Sequence, residues 1–177
     1  ASLTPTGAIA AACFVRDRVG VVVAVLACAP WVLAGALATG GGTATAASAA
    51  AFAPRAEQYV GTLGALVGLG GIWNGAAVPA SREVGFALFG IPLFILLVLG
   101  WRAVPRRWLA LAAAGFAIAL ASWAGLTNPV VTHVPGGGLL RDAQKWLILA
   151  IPAFVAAAGA LTPRRAAAAL ACAPVSY

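Results

Sequence analysis

The chain has 177 residues, 63% of them hydrophobic and 8% charged, with a mean hydropathy of +1.00. An average soluble domain carries about 25% charged and about 45–50% apolar residues, so fifteen charged side chains cannot coat a globule of this size. A soluble single domain, a disordered chain and a disulfide scaffold are excluded, and an integral membrane protein remains. In that class the formal charge of +7 reports loop orientation rather than a nucleic-acid partner.

In chain order, residues 5–15 form an apolar run that stops at Arg16, Asp17 and Arg18, too short to cross a bilayer. Residues 19–39 carry no charge and give the first full span. Ala36, Leu37 and Ala38 match a signal-peptide cleavage site, but the apolar run exceeds an h-region of about 7–15 residues, which favours a retained span. The long linker 40–83 contains an uncharged stretch, 58–73. As a helix it would reach only about 24 Å against a hydrocarbon core of about 30 Å, which predicts a re-entrant or interfacial helix. Its Gly64 and Gly68, and its Gly71 with Gly75 just beyond, have G-x-x-x-G spacing, a surface that admits a closely packed helix. Further spans are predicted at 84–101, 108–126 and 146–161, and 166–177 again is too short to cross. Pro30, Pro92 and Pro152 predict kinks, because neighbouring helices can satisfy the carbonyl each proline frees.

The basic residues set the direction. The linkers 16–18, 102–107 and 162–165 hold seven of the eleven Lys and Arg residues, and Asp17 is their one acid. Placing them in the cytoplasm lets four spans alternate and leaves the segments 40–83 and 127–145 outside, close to neutral. A fifth span at 58–73 would invert everything after it and erase this bias. Trp101 and Trp108 then flank the inner surface, and Trp123 and Trp146 the outer one. The expected fold is all-α: a polytopic transmembrane helix bundle with four full spans, the re-entrant exterior helix, and partial spans at both ends. The whole of 1–177 reads as a single transmembrane region within a larger protein.

The exterior segments gather the polar chemistry. Arg55 and Glu57 lie two apart, Arg82 and Glu83 are adjacent, and Arg141, Asp142 and Lys145 precede the fourth span. Asp142 stands where it can cap that helix. The plain reading is solvated charges at an interface. The functional reading is a membrane-surface pocket in which Arg and Lys hold a phosphate and a carboxylate acts as base. His133, the one histidine, has no ligand cluster around it, so no metal site is expected. Gly136, Gly137 and Gly138 resemble a phosphate-cradling loop but lack its lysine-serine ending, and a hinge is the better reading. Cys13, Cys28 and Cys172 sit in apolar runs as small hydrophobes. No ionisable residue falls inside the spans, which argues against a proton-coupled transporter.

Two stretches, GTLGALVGLGGIWNGAAVPASR (61–82) and VPGGGLLRDAQKWLILAIPAF (134–154), resemble segments of large multi-span proteins of actinobacterial cell envelopes. Those proteins are similar in layout to C-type glycosyltransferases, which use polyprenyl-phosphate sugars at the outer membrane face. The resemblance implies an acidic base in an exterior loop beside basic groups that hold the lipid phosphate. Glu57, Glu83 and Asp142 are the candidates for the first role, and Arg82, Arg141 and Lys145 for the second. No paired-acid motif stands in the first exterior loop, where such enzymes carry one. The expected protein is thus a multi-pass component of a bacterial inner membrane. It would act on a polyprenyl-phosphate sugar without a cofactor, with membrane lipid and helices docked at Gly64, Gly68, Gly71 and Gly75 as partners. The alternative is a non-enzymatic transporter or structural subunit of a membrane complex.

Overall fold

The computed structural model describes residues 7–8, 12–15, 17–37, 44–134 and 137–162. Of the expected partial spans, 166–177 lies wholly outside these residues and 5–15 is described only in part; Arg16, Arg164 and Arg165 also lie outside. Among the described residues the fold is all-helical and has no strand. The α-helices are α1 (Arg18–Leu37), α2 (Ala46–Ala51), α3 (Gly61–Val67), α4 (Ala80–Glu83), α5 (Gly90–Gly100), α6 (Arg106–Trp123), α7 (Asn128–His133) and α8 (Ile151–Gly159). Turns of 3₁₀ helix link several of them.

Among the described residues one helical stretch, Phe86–Ala103, is long and apolar enough to cross a membrane, against four full spans expected. It comprises the 3₁₀ turn Phe86–Phe89, α5 and the 3₁₀ turn Trp101–Ala103, so Pro92 falls in the first turn of α5, where a missing N–H costs little. Only 22% of it is buried inside the molecule, and Ile91, Ile95, Val98 and Leu99 face outward. The other three expected spans have different bounds. α1 covers 20 residues, Arg18–Leu37, and continues through Pro30. Two arginines open α6, and it stops at Trp123. There Gly125 turns left-handed (φ 73°), the Leu126 N–H donates to the Ala121 carbonyl and the Gly125 N–H to that of Ser122. That is a Schellman ending. The fourth divides into a 3₁₀ helix, Ala143–Ala150, and α8, with Pro152 in the first turn of α8 instead of at a kink.

The core lies where α5, α6, α8 and the 143–150 segment meet. Leu97, Val104, Ala112, Ala150, Ala153, Phe154 and Ala157 form its main cluster. Phe94 meets Phe116 edge-on, centroids 6.1 Å apart, and Phe154 at 6.4 Å. The inward face of α6 is a stripe of small residues: Ala112, Gly115, Ala119 and Ser122. A Cβ on Gly115 would come within 2.5 Å of the Trp146 carbonyl, so the stripe lets the 3₁₀ helix lie against α6 backbone to backbone. Trp146 is accordingly a core residue, not part of an outer aromatic belt. It is buried, and its Nε1–H donates to the Leu139 carbonyl at 3.3 Å.

The segments 40–83 and 127–145, where described, are more structured than their sequence suggests. Thr45 caps α2 by accepting the Ser48 N–H at 3.1 Å, in a stretch read from sequence as linker. The helix expected across 58–73 reaches only from Gly61 to Val67, and the chain then turns through Leu69, held at φ 58°. Of the two G-x-x-x-G spacings only the first lies in a helix. Gly68, the residue that ends α3, faces the start of α5, where a Cβ would meet the Gly90 Cα at 2.9 Å. Gly71 (φ 84°) belongs to the following turn, and Gly75 lies against the Arg55 guanidinium instead of a helix.

Candidate functional site

The turn after α3 brings charges from distant parts of the chain together. Glu57 is buried, and its Oε1 accepts the Gly71 N–H at 2.9 Å. Its Oε2 accepts from Arg82, 25 residues away, through Nε at 2.8 Å and through Nη2. Gly70 makes room for this pair, since a Cβ there would lie 2.5 Å from the Glu57 Oε1 and closer still to Arg82. The backbone draws the same segments together: the Arg55 N–H donates to the Gly71 carbonyl at 3.1 Å, and Glu57 pairs with Gly61 in an isolated antiparallel bridge. Two non-glycine residues in the left-handed region, Tyr59 (φ 66°) and Leu69 (φ 58°), flank α3, the second within this turn. Such geometry costs roughly 1–2 kcal/mol per residue and persists only where the surroundings hold it.

Two clefts meet at Arg82. One, of about 300 Å³, is polar and lined by Arg55, Glu57, Gln58, Arg82 and Glu83 with Ala56 and Val78. The other, of about 230 Å³, has a mixed lining and runs along the head of the Phe86–Ala103 stretch past Gly68, Ser81, Phe86, Phe89, Gly90 and Leu93. Arg82 has Nε and Nη2 committed to Glu57, which fixes its plane and leaves Nη1 for another partner. Arg55 and Glu83 are exposed, and neither enters an ion pair among the described residues. The cleft therefore offers two guanidinium groups to an anion and one accessible carboxylate at its rim.

The remaining candidates form a second group. Arg141 Nη1 donates to the Ser48 Oγ at 2.9 Å, and its guanidinium sits 3.9 Å over the Phe52 ring. Phe52 in turn packs on Trp73 at 4.1 Å. Asp142 occupies the N-cap position of the Ala143–Ala150 helix but makes no capping bond and pairs instead with Lys145. Arg141 Nε, Asp142 Oδ1 and Gln144 Oε1 are buried without a hydrogen-bond partner. His133 turns back on its own helix, Nδ1 lying 2.7 Å from the Thr132 Oγ1 and 3.0 Å from the Pro129 carbonyl.

Glu57, Arg82 and Glu83 thus share one cleft, whereas Arg141 reaches α2 at Ser48 and Asp142 pairs with Lys145. Sequence reading paired Arg55 with Glu57 as near neighbours and assigned Arg55 no role in holding phosphate. Its signal was the double glycine, Gly70 and Gly71, which brings the two charged segments into contact. No family model, curated protein or solved structure matches the chain.

Proposed function

We propose that the protein is a multi-pass component of a bacterial envelope membrane that holds the phosphate of a lipid-linked sugar at Arg82 and transfers the sugar at the outer face. The observation that carries this reading is that Arg82 lines two clefts, one shared with Arg55, Glu57 and Glu83 and the other with Phe86, Phe89 and Leu93. A polyprenyl-phosphate sugar joins a charged head to an isoprenoid tail. Its phosphate and sugar suit the cleft of Arg55, Arg82 and Glu83, and its isoprenoid suits the groove of Phe86, Phe89 and Leu93. Transfer breaks the bond between the sugar C1 and the phosphate oxygen and forms one from C1 to an acceptor hydroxyl. Arg82 and Arg55 stabilise the departing phosphate, and Glu83, with an unengaged carboxylate, takes the hydroxyl proton. Glu57 is a positioning residue, because both of its oxygens are occupied.

The four-span topology belongs to the same proposal. The 20 residues of α1 rise about 30 Å and the 18 of α6 about 27 Å. The continuous helix Ala143–Gly159 reaches about 29 Å, because the 3₁₀ half rises more per residue than the α half. Arg82 lies before one end of the Phe86–Ala103 stretch, and Arg102, Arg106 and Arg107 cluster at the other, as an outside-to-inside crossing requires.

The test uses the full chain in proteoliposomes with a photoreactive polyprenyl-phosphate sugar. Arg82→Gln should weaken lipid capture by about tenfold to a hundredfold. Glu83→Gln should capture lipid normally while transfer falls by about 10²–10⁴-fold. Full capture by Arg82→Gln would contradict the site. The engaged Glu57–Arg82 pair favours one second reading, a clasp within a non-enzymatic transporter or subunit. On that reading Arg82→Gln loses assembly, and Glu83→Gln changes nothing.

A further inference from the structure

We infer that the turn 101–108 is a binding site for the phosphate of an anionic phospholipid headgroup; this rests on the membrane reading proposed above. The turn carries Arg102, Arg106 and Arg107, all exposed, and none has a carboxylate partner among the described residues. The whole chain has four acidic residues, and two of them, Glu57 and Asp142, are already paired elsewhere. Three cations close in sequence without a counter-ion repel one another unless an anion comes from outside the chain.

Two of the arginines lie over tryptophan rings. The Arg102 guanidinium sits over the Trp101 ring at 5.8 Å, and that of Arg107 over Trp108 at 5.2 Å. The turn between them is rigid for two reasons. Val104 is buried in the main core cluster, and its N–H donates to the Trp101 carbonyl at 3.1 Å. Gly100 lies so close to α8 that a Cβ would meet the Ala157 Cα at 2.8 Å. Arg106 and Arg107 also form the first turn of α6, which has no side-chain cap and no acid there, so its N-terminal dipole adds to the same field. Exposed guanidinium groups beside tryptophans suit a phosphodiester at the depth where lipid headgroups lie.

The experiment reconstitutes the full chain in phosphatidylcholine vesicles doped with photoreactive phosphatidylglycerol and maps the crosslinks by mass spectrometry. The expected result is crosslinking concentrated on 101–108, reduced by about tenfold or more in the combined Arg102→Gln, Arg106→Gln, Arg107→Gln variant. The corresponding triple lysine variant should retain part of it, since charge survives but the planar fork does not. Equal crosslinking by photoreactive phosphatidylcholine, or an undiminished signal in the glutamine variant, would overturn the site. Displacement by inorganic phosphate beyond that by sodium chloride of equal ionic strength would overturn the lipid as the source of the anion. Failure of the chain to float with pure phosphatidylcholine vesicles would instead overturn the membrane reading, and this inference with it.

Discussion

Gly70 shows how much of the site depends on a missing side chain. A methyl group there would press on the Glu57 carboxylate at 2.5 Å and on the Arg82 guanidinium, neither of which can retreat without losing the other. Gly70→Ala should therefore destabilise the protein by about 1–3 kcal/mol, read as a lower unfolding midpoint in detergent. It should also reduce lipid-phosphate capture, because Arg82 then leaves its place between the clefts. That Glu57, Arg82 and Glu83 fall together between the apolar runs 19–39 and 84–101 was legible in the sequence. Their pairing was not. Glu57 and Arg82 are 25 residues apart, and only the turn at Leu69, Gly70 and Gly71 brings them into contact. Nor could spacing reveal that Arg141 lies over Phe52 or that Asp142 pairs with Lys145 instead of capping a helix, since both depend on where α2 and the 143–150 helix come to rest.

Among the elements, hydropathy located the helices better than it located their ends. Residues 19–39 and 108–126 correspond to α1 and α6, while the bounds moved where local chemistry intervened: the Schellman ending at Gly125, Pro152 starting α8, the left-handed Leu69 after α3. A run of apolar residues with one proline reads equally well as a kinked α-helix or as a 3₁₀ helix followed by a new α-helix. The second form appears at 143–159, where the small-residue face of α6 lets the 3₁₀ backbone come close. That contact depends on Gly115. Gly115→Leu should force the two helices apart and lower stability by about 1–3 kcal/mol, measured by thermal unfolding in detergent. Capture of the lipid phosphate should change little, because none of the residues lining the two Arg82 clefts lies on α6 or the 143–150 helix.

At the scale of the whole molecule, the scarcity of charge and the outward-facing apolar residues agree. Val19, Val22, Val25 and Leu26 on α1, with Ile95, Val98 and Leu99 on α5, are exposed where a protein in water would place polar groups. Few charges remain to be placed, and those described fall at ends and turns: Arg82 and Glu83 before the Phe86–Ala103 stretch, and Arg102, Arg106 and Arg107 at and beyond its end. The proposed crossing of that stretch is the claim on which both the lipid-sugar site and the headgroup site depend. It is tested most directly by cysteine accessibility in intact cells, with Cys13, Cys28 and Cys172 replaced by alanine. Single cysteines are placed at Ala80 and Ala103, both exposed and on either side of the stretch, and at the unobstructed Gly138 in the segment 127–145. A membrane-impermeant maleimide should label positions 80 and 138 in intact cells and reach position 103 only after the membrane is opened. Labelling of 80 and 103 from the same side would contradict the crossing.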